Sequence, residues 1–241
     1  MSDLNYLDQY DHGQIKKIIV DLSKPKDIKE AVHEALAFSQ VINVLVNNAG
    51  LGYFATVEES SMEDVRYMFE VNVLGLAEIT RALLPQFRKQ RGGTIVNISS
   101  ALALTTLPTM GFYSATKYAV EGLGDTLRKE LAPLGINVLN VEPSGARTNW
   151  SGASLKKIIP QIDDYSSLKE MVSTTDEGVQ NSPGDPQLIA QAIIDAVNSN
   201  QVPHHLPLGE FAYNDGLDNL NLLTNEIKVN RNISLSTDNQ N

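Results

Sequence analysis

Apolar positions along the chain follow two alternating rhythms. Short β-branched runs read as strands at Lys16–Val20 (KKIIV), Asn43–Asn47 (NVLVN), Thr94–Ile98 (TIVNI) and Ile136–Val141 (INVLNV). Each is nearly continuous in apolar character, which suits strands covered on both faces better than strands with one wet face. Longer stretches at helical spacing lie between them. One helix is predicted from Ser60, with Glu63 three residues on in a capping-box pattern, to about Arg88, where Arg91-Gly92-Gly93 ends it. A second runs from about Phe112 to Leu134-Gly135, and a third starts after Asp185-Pro186 with Leu188, Ile189, Ala192 and Ile193 on one face. This alternation predicts an α/β fold, a three-layer doubly wound parallel sheet of the Rossmann-like kind. Residues 1–241 read as a single domain, with 144–184 as a weakly periodic, mobile substrate-side insertion and 230–241 as a polar, frayed tail.

Composition narrows the functional classes. The 241 residues are 42% hydrophobic, enough for one sizeable core, and no repeat of 20–50 residues is visible. A formal charge of −10 disfavours nucleic acid and anionic membrane as partners, because both repel an acidic surface. With no cysteine, disulfides, thiolate zinc sites and cysteine nucleophiles are excluded. The opening MSDLNYLDQYDHGQ has no secretory pattern, and no apolar run approaches the roughly 18 residues that span a bilayer. A soluble, cytoplasmic protein is expected, so the sequons at Asn97 and Asn232 read as chance matches. His204 and His205 adjoin in a Pro-flanked segment, but no third ligand is apparent, so metal hydrolysis is a weak reading.

Tyr113 and Lys117 stand four apart at the start of a predicted helix, so they share a face with Val120, Leu127 and Leu131. Packing that apolar stripe on the sheet points the pair inward. A Tyr-x-x-x-Lys match alone is weak, and most such pairs are ordinary surface or core-edge residues. Ser100 strengthens it by closing Asn97-Ile98-Ser99-Ser100 at the carboxyl end of a strand, where open parallel sheets bind ligands. Asn47-Asn48-Ala49-Gly50 sits at another strand end, and Asn72 interrupts an otherwise apolar helix. Taken alone, Asn72 reads as a satisfied polar residue that kinks or caps.

Together these segments resemble the short-chain dehydrogenase/reductase family. The resemblance runs over roughly residues 15–235 and rests on Asn47-Asn-Ala-Gly50, Asn72, the Asn-Ile-Ser-Ser strand end, Tyr113-Ser-Ala-Thr-Lys117 and Val141-Glu-Pro-Ser-Gly-Ala-Arg-Thr148. The stretch Glu142-Pro143 to Asn149-Trp150 is similar to a subgroup holding many bacterial oxidoreductases and hydroxysteroid or retinol dehydrogenase-like members. The resemblance implies an NAD- or NADP-dependent alcohol–carbonyl oxidoreductase acting on a small molecule. Tyr113 would be the general acid/base, Lys117 would favour its phenolate and hold the nicotinamide ribose, Ser100 would hold the substrate oxygen, and the Asn72 backbone would bind a relay water. Cofactor contacts implied by the same motifs are Asp21 on the adenine side, Asn48, Ala49 and Gly50, then Pro143 and Thr148 near the nicotinamide. Asp21-Leu22-Ser23 also has a plain reading as a strand exit and helix cap. Ser144 stands where the family usually has glycine, and serine tolerates positive φ poorly, so the family's backbone path does not carry over to this position. The family also implies a homo-oligomer, with helices 60–88 and 112–133 as the interface.

One family segment is missing from the pattern, namely the opening strand, glycine-rich turn and helix that hold pyrophosphate. Gly50-Leu51-Gly52-Tyr53-Phe54-Ala55 fits G-x-G-x-x-A, but it does not open into a helix, and Glu58 and Glu59 would repel phosphate. It is therefore rejected as the phosphate loop. The fold is expected to lack the family's first two strands and first helix, with Met1 an internal methionine of a longer protein. Two rivals follow: an impaired member or binding subunit unable to hold the dinucleotide, and a sugar-nucleotide epimerase or dehydratase, which shares Tyr-x-x-x-Lys but usually carries a larger C-terminal domain.

Overall fold

A computed structural model describes residues 4–148 and 154–238. Its centre is a four-stranded parallel sheet built from β1 (Val44–Asn47), β3 (Gly93–Ile98), β4 (Ile136–Pro143) and β6 (His205–Leu208), in the order β1-β3-β4-β6. A separate parallel pair joins β2 (Gly52–Phe54) to β5 (Leu155–Lys157). Helices α1 (Pro25–Phe38), α3 (Leu76–Gln90) and α4 (Gly111–Leu131) cover one face, where Val32, Leu83, Phe87, Ile95, Leu127 and Leu131 pack together. Helix α7 (Pro186–Val197) covers the other, setting Ile193 and Val197 against Val96, Leu139 and Val141. Alternate residues of one strand thus feed opposite cores, Ile95 towards α3 and α4 and Val96 towards α7. The three-layer α/β expectation holds.

The first expected strand does not form. Lys16–Val20 is irregular, Ile19 is 74% exposed, and the segment is held by a Lys16–Glu34 ion pair of 2.6 Å to α1. A β-branched run becomes a strand only with a hydrogen-bonded neighbour, and β1 pairs on one side alone. The outer edge of β1 leaves Val44 and Val46 exposed.

The long helix expected from Ser60 exists in three parts: α2 (Met62–Phe69), a π-helical turn (Glu70–Gly75) and α3. Its cap is Ser61, whose side chain accepts from the Asp64 amide, while the Ser60 hydroxyl instead donates to the Thr56 carbonyl at 2.6 Å. Asp185 caps α7 as expected, accepting from the Gln187 amide at 2.8 Å. The 144–184 stretch contributes β5 and the short helices α5 (Lys169–Ser173) and α6 (Thr175–Gln180). The expected polar tail begins after α8 (Glu210–Val229) and is helical through α9 (Arg231–Leu235).

A row of polar side chains crosses this sheet. Asn47, Asn97 and Asn140 are register partners on β1, β3 and β4. The Asn47 amide donates to Asn97 at 2.9 Å, Asn97 to Asn140 at 3.0 Å, and Asn140 to the Glu121 carboxylate of α4 at 2.7 Å. Gly124 lets α4 lie on this row, because a β-carbon there would collide with the Asn140 amide. Gly124→Ala is therefore expected to lower unfolding free energy by about 1–3 kcal/mol in urea denaturation, the usual cost of overpacking. A variant as stable as its parent would show that the helix can lift without loss.

Candidate active site

Three residues singled out in the sequence meet where β1, β3 and β4 end. Ser100 follows β3, and its hydroxyl accepts from the Leu102 amide at 3.1 Å and hydrogen-bonds the Tyr113 phenol. Tyr113 and Lys117 both lie on the buried face of α4. The Lys117 ammonium donates to the Ile98 carbonyl at 2.8 Å and stands 5.7 Å from the centre of the Tyr113 ring. Glu121, one turn further along α4, is the nearest counter-charge named for that ammonium.

Asn72 is a clamp. Its side chain accepts from the Leu51 amide at 2.7 Å and donates to the Leu51 carbonyl at 2.9 Å and to Thr116 at 3.2 Å. It therefore ties the loop after Asn48-Ala49-Gly50 to α4, the helix that carries Tyr113. Both readings of this residue have a physical basis: the side chain is satisfied, and the surrounding π-turn is a distortion that recurs at functional sites. A β-carbon on Gly50 would stand 3.7 Å from the Lys117 nitrogen, so this loop passes close to the ammonium. Asn48 and Ala49 are exposed there.

The other sequence-chosen residues are more dispersed. Asp21 forms a tight turn, accepting from the Ser23 hydroxyl at 2.7 Å and the Ser23 amide at 3.0 Å, and it pairs with Lys24. The Ser23 hydroxyl, with Lys24, holds its carboxyl down to about 2. The turn seats on the π-turn, since a methyl on Gly75 would come within 2.6 Å of the Leu22 carbonyl. Asp21 thus lies beside the helix of Asn72, in the capping role of its plain reading, just before Pro25 opens α1. Pro143 ends β4, and Thr148 lies on the exposed segment beyond it; Asn149 and Trp150 fall outside the described residues. Ser144 brings no strain: it is absent from the positive-φ residues, and its hydroxyl accepts from the Ala212 amide at 2.8 Å, capping α8. Serine here does a job that glycine could not.

The expected insertion at 144–184 forms a wall fastened through β5 to β2, a pairing that sequence reasoning missed. Gly52–Phe54 is a strand paired to β5, which accounts for its failure as a phosphate loop. Glu59 accepts from the Gln161 and Ile162 amides at 2.6 and 3.0 Å, Glu58 accepts from the Tyr165 phenol at 2.8 Å, and Asp64 pairs with Lys156 at 2.6 Å. The acidic residues that argued against phosphate are tethers for the insertion. Tyr113 packs with Tyr53, Leu102 and Met110 beneath this wall. A cleft of about 260 Å³ opens between Leu51, Tyr67, Met68 and Leu155.

The family model for short chain dehydrogenases matches residues 4–158. This chain belongs to the short-chain dehydrogenase family. It is 29% identical over 198 residues to a 3-ketodihydrosphingosine reductase of Bacteroides thetaiotaomicron, a match covering 82% of this chain and 74% of that protein. A solved short-chain dehydrogenase from Streptomyces avermitilis superposes with a TM-score of 0.89 at 34% identity, covering 98% of this chain and 85% of that one. An alcohol dehydrogenase from the archaeon Thermococcus sibiricus, solved in complex with 5-hydroxy-NADP, matches at 26% identity and a TM-score of 0.64, covering 78% and 72% of the two chains. Among the described residues of this family member, no helix is long and apolar enough to cross a membrane.

Burial governs the electrostatics of the site. It pushes the Tyr113 phenol up to about 12, partly offset by the Ser100 hydrogen bond. It also pulls the Lys117 ammonium down to about 8, partly offset by Glu121. The lowering of Tyr113 by Lys117 that the resemblance implied is thus outweighed in the protein alone, because removing a phenolate from water costs more than this cation returns. For Lys117 the folded state binds fewer protons than the unfolded state between about pH 8 and its ordinary 10.5. Stability associated with this group is therefore gained as pH rises through that window and lost as pH falls through about 8. Chemical denaturation from neutral pH to pH 10 is expected to show the parent gaining on Lys117→Met over that range. A constant difference would mean the ammonium is better solvated than its burial indicates.

Proposed function

We propose that this chain interconverts a secondary alcohol and a ketone, or a primary alcohol and an aldehyde, by hydride transfer with NAD or NADP. The observation that carries the reading is the convergence of Ser100, Tyr113 and Lys117 at the carboxyl ends of parallel strands, the expected ligand side of such a sheet. The residues fit the nicotinamide end of a dinucleotide: exposed Asn48 and Ala49 and half-buried Gly50 run past the Lys117 ammonium. Pro143 and Thr148 would flank that end, and Asp21 would serve the adenine side. No glycine-rich turn opening into a helix occurs among the described residues to serve the pyrophosphate.

The bound cofactor supplies hydride to the carbonyl carbon. Tyr113, fully protonated at neutral pH with its value near 12, gives its phenolic proton to the developing alkoxide. The Ser100 hydroxyl holds that oxygen in line. Lys117 would hold the ribose and stabilise the phenolate left behind. Asn72 fixes the loop over the ammonium through Leu51, and its backbone in the π-turn would bind the relay water. The cleft joins apolar Leu51, Met68 and Leu155 to the charged pair Asp64 and Lys156, which favours a carbonyl compound with both an apolar and a polar part, and the Bacteroides relative is named a 3-ketodihydrosphingosine reductase. Exposed Tyr67, Leu74 and Tyr118 on the helices named as an interface support a homo-oligomer.

Titration with NADH and NADPH followed by reduction of aliphatic ketones, including a long-chain 3-keto amino alcohol, tests this reading. Tyr113→Phe is expected to lower kcat by about a hundredfold or more while leaving cofactor affinity unchanged. Full activity in that variant would remove Tyr113 from the chemistry. Failure of the parent to bind either cofactor would favour the impaired-member reading.

A further inference from the structure

Further along α4 from the tyrosine lies a second group of titratable side chains that the hydride chemistry does not use. Helix α4 contributes Glu121 and Asp125, β4 contributes Glu142, and β6 contributes His205, with His204 just before it. The β4–β6 register sets Asn140 opposite His205 and so brings these elements together. The imidazole of His205 points its Nδ1 between two carboxylates, 2.8 Å from Glu142 Oε1 and 3.4 Å from Glu121 Oε2. Its Nε2 faces Asp125 at 3.4 Å, and Asp125 also takes the Nε2 of His204 at 2.7 Å.

Burial makes this arrangement demanding. Glu142 is fully buried and Glu121 is 8% exposed, so both carboxylates have left water. The Glu142 Oε2 atom accepts from the Leu206 amide at 2.9 Å, and Glu121 Oε2 accepts from Asn140. Glu121 Oε1, however, is buried with no hydrogen-bond partner. A buried carboxylate oxygen without a donor bears its full desolvation cost, and a cation held by both oxygens of Glu121 would relieve it. In the protein alone the two carboxylates hold a proton on the His205 imidazole, raising it to about 10; once that proton leaves, the trio carries a charge of about −2, which one divalent ion neutralises.

We propose that Glu121, Glu142 and His205 bind one divalent transition cation, with zinc the best match to two carboxylate oxygens and an imidazole nitrogen. Ligands about 2.1 Å from a tetrahedral ion lie about 3.4 Å apart, the separation seen between His205 and Glu121. The tighter approach to Glu142 opens by about half an ångström when the half-exposed ring moves outward to admit the ion. Asp125 would be the outer carboxylate that takes the Nε2 proton and fixes the tautomer, an arrangement that accompanies most metal-bound histidines. Three protein ligands leave an open position for water. The ion would pin β6, the last strand of the sheet, to β4 and α4. This inference does not rest on the Tyr113–Lys117 chemistry, although Glu121 also acts on the Lys117 ammonium.

The test is calorimetric titration of the chelator-stripped full chain with zinc chloride near neutral pH, with thermal melting alongside. One saturable site per chain and a raised Tm are expected. His205→Ala should abolish the saturable uptake, and Asp125→Asn should weaken it about tenfold, while His33→Ala, at an exposed histidine of α1, should leave it unchanged. Circular dichroism establishes whether each variant folds; should His205→Ala not fold, the near-isosteric Glu121→Gln is expected to show the same loss. Uptake that survives either substitution in a folded variant would overturn the site. Absence of saturable uptake by the parent would also overturn it, and would assign the position on Nδ1 to a proton.

Discussion

An amide buried between parallel strands must find its partners there or cost about 1–3 kcal/mol. This fold meets that demand with a single row. Asn47, Asn97 and Asn140 lie at matched register positions, and each donates to the next until the last donates to Glu121. Because all three amides point the same way, their dipoles add and end on a carboxylate. A slip of any strand by one residue would turn its asparagine to the opposite face and orphan both neighbours. The strand ends on which Asn48 and Ser100 sit, and the height at which α4 crosses them, are consequences of that row.

Helix α4 then serves two centres at once. Its inward face sets Tyr113 and Lys117 against Ser100 and, one turn on, sets Glu121 at the end of the asparagine row. Glu121 partly restores the charge preference of the buried Lys117 and also faces His205. The counter-charge of the ammonium is thus itself held by Asn140 of β4 and faces His205 of β6. Asn72 performs the matching task above, by gripping Leu51 through both of its backbone polar groups.

Much of this was legible in the sequence wherever information was local. The strands β1, β3 and β4, the face shared by Tyr113 and Lys117, and the cap at Asp185 follow from periodicity and turn chemistry, although β1, a sheet edge, is buried only at Asn47. Lys16–Val20 misled because β propensity states a preference that only a neighbouring strand can satisfy. His205–Leu208 went unseen as a strand because two histidines and Pro207 break the apolar run. The strands β2 and β5 are three residues each and depend on one another across the insertion. The cluster at His205 was hidden for a different reason: its carboxylates come from α4 and β4, and only the β4–β6 register reveals their proximity. At Ser144 a departure from the family pattern supplies an acceptor to the first turn of α8.

The wall over Tyr113 is fastened to the body in an unusual manner. Among the described residues its strand β5 pairs only with β2, and the carboxylates of Glu58, Glu59 and Asp64 add further ties. Few of these contacts reach the main sheet or the asparagine row. A lineage carrying this scaffold can therefore rewrite the wall, residue by residue, without renegotiating the core beneath it. Substrate range and foldability become separately heritable traits, joined only at the short strip where β2 leaves β1.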